Sequence, residues 1–390
     1  MNLDNKLKLK LAERKADHLY RQRRIMDSPQ GVEVVVDGKP YINFCSNDYL
    51  GLANEPVVNK AFKQGIDQYG SGSGAAHLVT GHSTAHHALE EELAEFVQRP
   101  RALLFSTGYM ANLGVVSALT ERHDTVVADK LNHASLIDAA QLSRASMERF
   151  AHADMNALES LLAKHDKGNK LVVSDGVFSM DGDIAPVKQM ARLSETYDAI
   201  LMIDDAHGLG VLGEHGRGTL EQLNLGINEV PILVGTLGKA FATFGAFVAG
   251  SEELIETLIQ GARSYVYTTA LPPAVAEATR ASLQCVIKDD WRREQLHRLI
   301  QQFKQGAHEL GLPLMQSDTA IQPLLIGSSD KALEISEYLR TQGLLISAIR
   351  PPTVPKGTAR LRITLSAIHR PRHVDLMLDA LQNCKLDQVS

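Results

Sequence analysis

Short apolar segments alternate with helical patterns through the middle of this 390-residue chain, and this alternation constrains the fold more than any other feature. The apolar segments are TVVAD, KLVVSDGVF, AILMIDDAHG, PILVGTLGK and GAFVAG, and patterns such as MNALESLLAKH and APVKQMARLSETY separate most of them. Strands that are apolar throughout are typical of a parallel sheet that helices cover on both faces. The pattern therefore predicts an α/β protein with a mostly parallel sheet.

Polar residues gather just beyond these apolar segments, which is where open parallel sheets bind their ligands. The candidates are Gly108, Tyr109, His133, Ser179, Asp204, His207, Thr236 and Lys239. Lys239 stands between a glycine and small residues at a strand end, which is an unusual place for a solvated charge. A carboxylate, an imidazole and an amine at such a place can hold and activate an electrophilic cofactor. We therefore interpret Lys239 as the covalent anchor of pyridoxal phosphate (PLP).

The neighbouring residues meet the other demands of that cofactor. A buried carboxylate keeps the pyridine nitrogen protonated, and either Asp204 or Asp205 could supply it, because alternation along a strand puts the two on opposite faces. His207 could hydrogen-bond the phenolic oxygen of the ring. The segment STGYMAN provides a glycine turn followed by a helix, whose first backbone N–H groups suit a phosphate.

Other interpretations of these segments fail on spacing. GLGVLG fits a dinucleotide-binding pattern, but GEHGRG interrupts the helix that should follow it. GTLGKA lacks the upstream glycine and the hydroxyl residue of a P-loop. Histidines crowd the segment AHLVTGHSTAHH, where His82 and His86 could share a helix face, but no further ligand stands out. No metal site is therefore predicted.

Composition and charge exclude several classes of protein. Apolar residues make up 44% of the chain and charged residues 22%, as in ordinary globular proteins. The formal net charge of -6 argues against a nucleic-acid-binding surface. No apolar run is long enough for a membrane helix, and the basic N-terminus lacks the apolar centre of a signal peptide. The three cysteines are widely spaced, which suits a reducing cytoplasm without disulfide bonds. Together these features lead us to expect a cytoplasmic protein without nucleic-acid or membrane partners.

Three parts are expected along the chain. Residues 1–45 should form an amphipathic helix over 4–24 and then a hairpin, because VEVVVDGKPYINF alternates around an Asp-Gly turn. Residues 46–287 should form the large cofactor-binding domain. A charged helical pattern begins near residue 288, and the strand and helix patterns beyond it predict a small α+β domain over 288–390.

Motifs along nearly the whole chain resemble those of the α-oxoamine synthases, which are PLP-dependent transferases of fold type I. In matching order they are SNDYLGLA, GSGAAHLVTGHSTAHHALEEELAEF, STGYMAN, NHASLIDA, DGVFSMDGDIAP, DDAHGLGVLGEHGRG, TLGKAFATFGA, YTTALPP and AIRPPTVPKGTARLR. The resemblance implies an acyltransferase that joins an amino acid to an acyl thioester with loss of carbon dioxide. It is most detailed for the members that condense L-alanine with a pimeloyl thioester, carried by CoA or by an acyl-carrier protein, in biotin biosynthesis. The alternative is a sister activity that joins glycine to acetyl-CoA.

The resemblance also implies a role for each candidate residue. Lys239 would form the Schiff base, Asp204 would pair with the ring nitrogen, and His133 would stack over the ring as a third catalytic residue. The implied cofactor contacts also include Gly108, Tyr109, Ser179, Thr236 and His207. The implied substrate-binding residues are Arg21, His133, Arg350 and Thr353. Among these, Arg350 would clamp the amino-acid carboxylate, and Arg21 would help to hold the acyl substrate.

The resemblance further implies a homodimer with active sites at the subunit interface, in which YTTALPP reaches the phosphate site of the partner subunit. Two positions depart from the family pattern, because Ala75-Ala76 stand where Gly-Ser or Ala-Ser is frequent, and Ala242 replaces a frequent glycine. These small changes concern packing rather than chemistry. The alternative from another class is a scaffold that keeps the fold without catalysis, and the intact Lys239 and Arg350 weigh against it.

Overall fold

The computed structural model describes residues 2–384, and the chain divides into two compact units. The large unit consists of Leu50–Ser179 and Asp183–Arg293. The small unit consists of the chain before residue 50, Met180–Gly182 and the chain from Glu294 onward. The N-terminal segment, which the sequence suggested as a separate part, belongs to the same unit as the C-terminal segment. The large unit ends at Arg293, whereas the sequence suggested residue 287.

Strands and helices follow one another as short, regular elements. The strands are β1 (Glu33–Val36), β2 (Lys39–Asn43), β3 (Arg101–Phe105), β4 (Thr125–Asp129), β5 (Ser146–Phe150), β6 (Lys170–Asp175), β7 (Ala199–Asp204), β8 (Ile232–Thr236), β9 (Ala246–Gly250), β10 (Ile321–Gly327), β11 (Leu344–Leu345), β12 (Ser347–Ile349) and β13 (Ala359–Thr364). The helices are α1 (Leu3–Ala16), α2 (Pro56–Tyr69), α3 (Thr84–Phe96), α4 (Gly108–Leu119), α5 (Ala134–Leu142), α6 (Met155–Lys164), α7 (Val187–Thr196), α8 (Thr219–Gln222), α9 (Glu252–Gly261), α10 (Arg263–Val266), α11 (Pro273–Lys288), α12 (Asp290–Glu309), α13 (Ser329–Thr341) and α14 (Pro371–Asn383). A π-helical turn spans His77–Gly81. Among these helices, none has both the length and the apolar character that a membrane span requires.

In the described residues, the large unit is built on a seven-stranded sheet with the order β3-β9-β8-β7-β6-β4-β5. Strands β4 to β8 pair in parallel, whereas β9 runs antiparallel to both of its neighbours, β3 and β8. The prediction of an α/β fold with a mostly parallel sheet is confirmed. Strand β5 escaped prediction because its sequence, SMERF, carries two charges and is only partly buried.

Burial of this sheet fixes the positions of its strand ends. Val126, Val173, Met202 and Val248 of four strands are fully buried in one apolar cluster, together with Val115 of α4. Each such side chain contributes about 1.5–3 kcal/mol when it leaves water. The backbone at the carboxyl ends of these strands is therefore held firmly in place, and so are the residues that directly follow.

The small unit combines a hairpin with a second sheet. Strands β1 and β2 pair through the predicted Asp37-Gly38 turn, in which both residues have positive φ angles (50° and 72°), as a two-residue hairpin loop requires. Strand β2 also pairs in parallel with β11, and this pairing joins the N-terminal segment to the C-terminal one. The second sheet has the order β10-β13-β12 and is antiparallel. The unit thus contains both strands and helices, and it includes the N-terminal hairpin as well as the chain from Glu294 onward.

Two helix predictions are wrong at the helix ends. Helix α1 stops at Ala16 rather than near residue 24, and His18 then has a φ of 57°, which a right-handed helix cannot continue. No residue of α1 is buried. Helix α3 begins at Thr84, so His82 precedes the helix and does not share a helix face with His86.

Candidate active site

Lys239 and His207 meet beyond the carboxyl ends of β8 and β7. Lys239 lies three residues after the end of β8, and its Nζ is 2.8 Å from Nε2 of His207, which lies three residues after the end of β7. Hydrogen bonds close the turn that carries the lysine, since the N–H of Ala242 donates to the carbonyl of Lys239 (2.8 Å) and the Thr236 hydroxyl donates to the carbonyl of Gly245 (3.2 Å). The amine and the imidazole that the sequence predicts together are therefore in direct contact.

Asp204, the last residue of β7, provides a buried carboxylate in the same region and is 6% exposed. Its Oδ2 accepts a hydrogen bond from Nδ2 of Asn112 (2.7 Å), and its Oδ1 accepts one from the N–H of Ala206 (3.1 Å). The same Asn112 amide donates to Oγ of Ser135 (2.8 Å). Oδ1 of Asn112 is buried and has no hydrogen-bond partner among the described residues. Helix α4 thus holds the carboxylate from one side.

The carboxylate of Asp205 binds Thr219 and has a structural role. Its two carboxylate oxygens accept hydrogen bonds from the hydroxyl and the N–H of Thr219, both at 2.6 Å. Burial raises its pKa to about 7 against the effect of these hydrogen bonds. A Cβ atom on Gly208 or Gly218 would lie about 2 Å from an Asp205 oxygen, so the first glycine of GLGVLG makes room for a carboxylate rather than for a nucleotide. Of the two neighbouring acids, Asp204 is the one that the site can use.

His133 caps α5 and belongs to the same electrostatic environment. Its Nδ1 lies 2.7 Å from Oγ of Ser135, and its backbone N–H donates to Oδ2 of Asp175 (2.6 Å). Desolvation lowers the pKa of His133, the Asp204 carboxylate opposes this change, and the charge of Lys239 adds to it. The imidazole is therefore held neutral, within electrostatic reach of both Asp204 and Lys239.

Asp175 is a site residue that the sequence reasoning missed. It ends β6 and is the register partner of Asp204 at the end of β7. Burial and the negative charge of Asp204 raise the pKa of Asp175 well above its usual value. The signal was present, because an acid at the end of an apolar strand is the same local pattern that indicated Asp204. We call Lys239, His207, Asp204, His133 and Asp175 the strand-end cluster.

The other predicted cofactor contacts lie on the same sheet edge. Gly108 is the first residue of α4, whose N-cap Thr107 accepts a hydrogen bond from the N–H of Met110 (3.2 Å). A Cβ atom at Gly108 would meet no atom within 4 Å, so open space lies in front of this helix end. Tyr109 is partly exposed and its hydroxyl hydrogen-bonds the Asp138 carboxylate. Ser179 lies in the loop that follows β6 and is half-buried.

The predicted substrate residues form a second group, which lies within the small unit. Nη2 of Arg21 donates to the hydroxyl of Thr353 (3.1 Å), and Arg350 donates to the carbonyl of His18. Desolvation lowers the pKa of Arg350, and the charge of Arg21 lowers it further. Nε of Arg350 is buried without a hydrogen-bond partner among the described residues. We call Arg21, Arg350 and Thr353 the arginine cluster.

The chemistry of the strand-end cluster fits PLP. The cofactor needs a primary amine for its aldehyde, a buried carboxylate for its ring nitrogen and backbone N–H groups for its phosphate. Lys239, Asp204 and the start of α4 supply these groups, and the unpartnered Asn112 oxygen adds a polar atom beside the carboxylate. The open space at Gly108 leaves room for an anion at the helix end.

Comparison with known proteins identifies the same chemistry. The aminotransferase class I and II family matches residues 39–381. A curated relative from Methylococcus capsulatus, called 8-amino-7-oxononanoate synthase, is 63% identical over 95% of this chain and 96% of its own. A solved serine palmitoyltransferase variant from S. paucimobilis with a bound PLP–myriocin aldimine superposes with a TM-score of 0.94 at 31% identity, over 98% of both chains. An 8-amino-7-oxononanoate synthase structure from Francisella tularensis gives a TM-score of 0.77 at 32% identity, over 88% of this chain and 97% of its own. The match of family, length and fold is consistent along the sequence, and the chain therefore belongs to the class I and II aminotransferase family.

Proposed function

We propose that this chain acts as an 8-amino-7-oxononanoate synthase, which condenses L-alanine with a pimeloyl thioester and releases carbon dioxide and the thiol carrier. The observation that carries this choice of reaction is the 63% identity to a relative of that name over 95% of the chain. The strand-end cluster supplies groups for chemistry at the amino acid. The arginine cluster supplies positive charge for carboxylates, which both substrates contain.

The cofactor is pyridoxal phosphate. When bound, it supplies a protonated pyridine ring that delocalises the negative charge developing at the α-carbon of the amino acid. Asp204 would keep the proton on the ring nitrogen, because a buried carboxylate stabilises a neighbouring cation. His207 would hydrogen-bond the ring oxygen, and His133 would lie over the ring face. The proposed polar contacts to the rest of the cofactor come from Gly108, Tyr109, Ser179 and Thr236.

Lys239 would have two successive roles. Its Nζ would anchor the cofactor covalently, and once the amino acid has taken its place, the same Nζ would take the proton from the α-carbon of alanine. His207 lies 2.8 Å from this nitrogen and orients it. Removal of the α-proton leaves the carbon free to attack the carbonyl of the thioester, and Nζ can return a proton after carbon dioxide has left.

His133 and Asp175 would shape the place where the substrate carbon reacts. The neutral His133 imidazole presents a flat face, and its backbone is tied to Asp175 by a 2.6 Å hydrogen bond. Burial and the nearby Asp204 carboxylate raise the pKa of Asp175, so Asp175 accepts a proton more readily than an exposed aspartate does.

The arginine cluster would bind the carboxylates of the substrates. We assign the alanine carboxylate to Arg350, with Thr353 nearby, and the acyl substrate to Arg21. Two neighbouring guanidinium groups repel each other, as the lowered pKa of Arg350 indicates, so an anion placed between them is attracted to both. The unpartnered Nε of Arg350 is a further donor for a carboxylate oxygen.

A homodimer is the proposed assembly. The large unit exposes two apolar side chains, Val79 in the π-helical turn (73% exposed) and Tyr267 directly after α10 (74% exposed). Tyr267 belongs to the YTTALPP segment, which the family resemblance assigns to the subunit interface. Sedimentation of the purified chain should give twice the mass of one chain. We also propose the cytoplasm as its compartment, and its three cysteines are free.

The substrate assignment is tested by direct competition between reactions. The purified chain with PLP should release carbon dioxide from L-alanine plus pimeloyl-CoA much faster than from glycine plus acetyl-CoA, and mass spectrometry should identify 8-amino-7-oxononanoate. The same assay with pimeloyl-acyl-carrier protein determines which carrier the enzyme prefers. Turnover of glycine with acetyl-CoA, without turnover of alanine, would assign the chain to the sister activity. If the chain bound PLP but turned over neither pair, the scaffold interpretation would stand.

A further inference from the structure

Three histidines of the large unit come together outside the strand-end cluster. One nitrogen of His77, one of His82 and one of His86 all lie within 4.8 Å of one another. His77 and His86 are buried, and His82 is exposed. We call these three residues the histidine cluster. The sequence shows His77 in the same histidine-rich segment, but spacing alone suggested a shared helix face only for His82 and His86.

The backbone between His77 and His82 builds this arrangement. The π-helical turn His77–Gly81 closes with the N–H of Gly81 donating to the carbonyl of Ala76 (3.0 Å). A Cβ atom at Gly81 would lie 2.1 Å from the Ala75 carbonyl oxygen, so only glycine allows the chain to turn this tightly. The turn carries His82 back to His77, and their Nδ1 atoms are 3.0 Å apart.

His86 joins the cluster from the first turn of α3. Its ring centroid lies 5.0 Å from that of His77 and 5.7 Å from that of His82. Its Nε2 lies 2.7 Å from the Leu271 carbonyl oxygen, which can only accept, so Nε2 carries the hydrogen and donates a hydrogen bond to it. The lone pair of His86 is therefore on Nδ1, where it accepts the N–H of Ser83 (3.0 Å). A carbonyl that fixes the tautomer of an imidazole in this way is a common second partner of metal-binding histidines.

The packing around the cluster holds its rings in place. The ring of His82 lies 5.2 Å from that of His77, measured between centroids. Stacking on Tyr265, with ring centroids 5.0 Å apart and an angle of 12°, fixes the plane of His77. Neutral, oriented imidazoles are the form in which histidine binds metals.

We propose that the histidine cluster is a binding site for a divalent transition-metal ion such as Zn²⁺. Zn–N bonds of about 2.0–2.1 Å in a tetrahedron separate two ligand nitrogens by roughly 3.3 Å, close to the 3.0 Å between the Nδ1 atoms of His77 and His82. The metal replaces the proton that these two atoms share, and this proton moves to Nε2 of the same ring. Ser83 releases Nδ1 of His86, and solvent beside the exposed His82 supplies the fourth ligand.

A second group of possible ligands shares His82 and serves as the rival. His82, His87 and Glu90 also have ligand atoms within 4.8 Å of one another. Glu90, however, accepts the backbone N–H of Leu104 (2.9 Å), and burial raises its pKa to about 7, which disfavours the charged carboxylate. His87 is exposed and pairs with Glu91 at 3.5 Å. The two sets predict opposite effects of replacing His87.

The test measures Zn²⁺ binding to the PLP-loaded full chain, freed of any polyhistidine tag, by equilibrium dialysis and metal analysis. One ion should bind per chain, and Co²⁺ in its place should show the intense visible bands of a tetrahedral site. His82→Gln, at an exposed position, should weaken binding by more than about tenfold. His87→Gln and the remote, exposed His123→Gln should bind as the unchanged chain does.

Three results would overturn the proposal. The first is the absence of one-to-one binding, and the second is unchanged affinity in His82→Gln. The third is a loss of affinity in His87→Gln equal to that in His82→Gln, which would select the rival ligands. His77→Gln then separates the sets directly if its circular dichroism matches that of the unchanged chain, because only the proposed site requires His77. None of these outcomes depends on enzymatic activity.

Discussion

The strand-end cluster and the arginine cluster differ in how firmly the protein holds them. Asp204 is 6% exposed, and hydrogen bonds to Asn112 and to the backbone fix its carboxylate at the end of a buried strand. Arg21 and Thr353 are exposed and lie in irregular segments. The first group is organised before any substrate arrives, as chemistry on a small reacting centre requires. The second group can adapt to its ligand.

This contrast predicts different kinetic signatures for the two clusters. Changes in the strand-end cluster should lower kcat, because they remove groups that act during the reaction. Changes in the arginine cluster should mainly raise KM, because they remove groups that hold a carboxylate throughout. The expected effects below run from the largest to the smallest.

Lys239→Ala should have the largest effect. Loss of both the covalent anchor and the base should lower kcat by more than about a thousandfold in the carbon dioxide assay. Lys239→Arg is the matched control, because it keeps a positive charge but cannot form the covalent linkage, and it should be equally inactive. Substantial turnover by Lys239→Arg would show that charge, and not the amine, is what the site needs.

The adjacent acids Asp204 and Asp205 provide an internal control for the second prediction. Asp204→Asn should lower kcat by about a hundredfold or more while leaving the fold intact, because the amide cannot keep a proton on the ring nitrogen. Asp205→Asn should instead lower the free energy of unfolding by about 1–3 kcal/mol, because one of the two Thr219 donors loses its acceptor. Urea titration and steady-state kinetics on both variants separate these effects. The reverse assignment would contradict the geometry.

Arg350→Gln should raise KM for L-alanine by about tenfold to a hundredfold, because one charge-assisted hydrogen bond to the carboxylate is lost. Arg350→Lys keeps the charge but loses the planar arrangement of donors. Its KM for L-alanine should therefore lie between those of the unchanged chain and Arg350→Gln. Steady-state kinetics with alanine as the varied substrate measure this. A fall in kcat at unchanged KM would place Arg350 among the reacting groups and erase the contrast between the clusters.

His152, which contacts Asp129 at the end of β4, should make the stability of the fold depend on pH. Burial alone would lower the pKa of His152, but its hydrogen bonds to Asp129 (3.1 Å) and Asp183 (2.9 Å) outweigh burial and raise the pKa to about 10. The folded chain therefore keeps this proton after the unfolded chain, with a pKa near 6.5, has lost it. The stabilisation is complete below pH 6.5 and disappears as the pH rises towards 10.

Unfolding by urea at several pH values between 6.5 and 10 checks this prediction. In the unchanged chain, the free energy of unfolding should fall across this window, and in His152→Gln it should be lower at pH 6.5 and less steep. Parallel curves for the two proteins would show that the histidine is not charged in the folded state.

Ala242→Gly should have the smallest effect. Ala242 has a φ of 56° in the turn that carries Lys239, a left-handed conformation that costs an alanine about 1 kcal/mol. Glycine removes this strain but has more freedom when unfolded, so thermal unfolding should show a gain of no more than about 1 kcal/mol. A loss of stability would mean that the Ala242 methyl group makes compensating contacts. The frequent glycine at this position in the resembling family thus has a conformational explanation.

Local patterns were sufficient to predict much of the fold and to select several residues of the candidate site. The alternation of apolar strands and helices predicted the large sheet, and the Asp37-Gly38 pair predicted the hairpin. Lys239, His207 and Asp204 could be selected because polar residues directly after buried strands are a signal within a few residues of sequence.

Features that depend on long-range contacts were not predictable. Asn112 joins Asp204 to Ser135 across three elements, and no pattern in α4 indicates this. The choice between Asp204 and Asp205 rested on resemblance until Thr219, fourteen residues away, proved to satisfy Asp205. The histidine cluster depends on a turn whose tightness becomes visible only through the contact between Gly81 and Ala75.

The central claim, that Lys239 holds the cofactor, is tested most directly by chemical trapping. The PLP-loaded chain is reduced with borohydride and digested, and the peptides are analysed by mass spectrometry. The structure predicts one pyridoxyl group per chain, on Lys239, and its loss when L-alanine is added before reduction. A pyridoxyl group on another lysine, or no labelled peptide at all, would contradict the account.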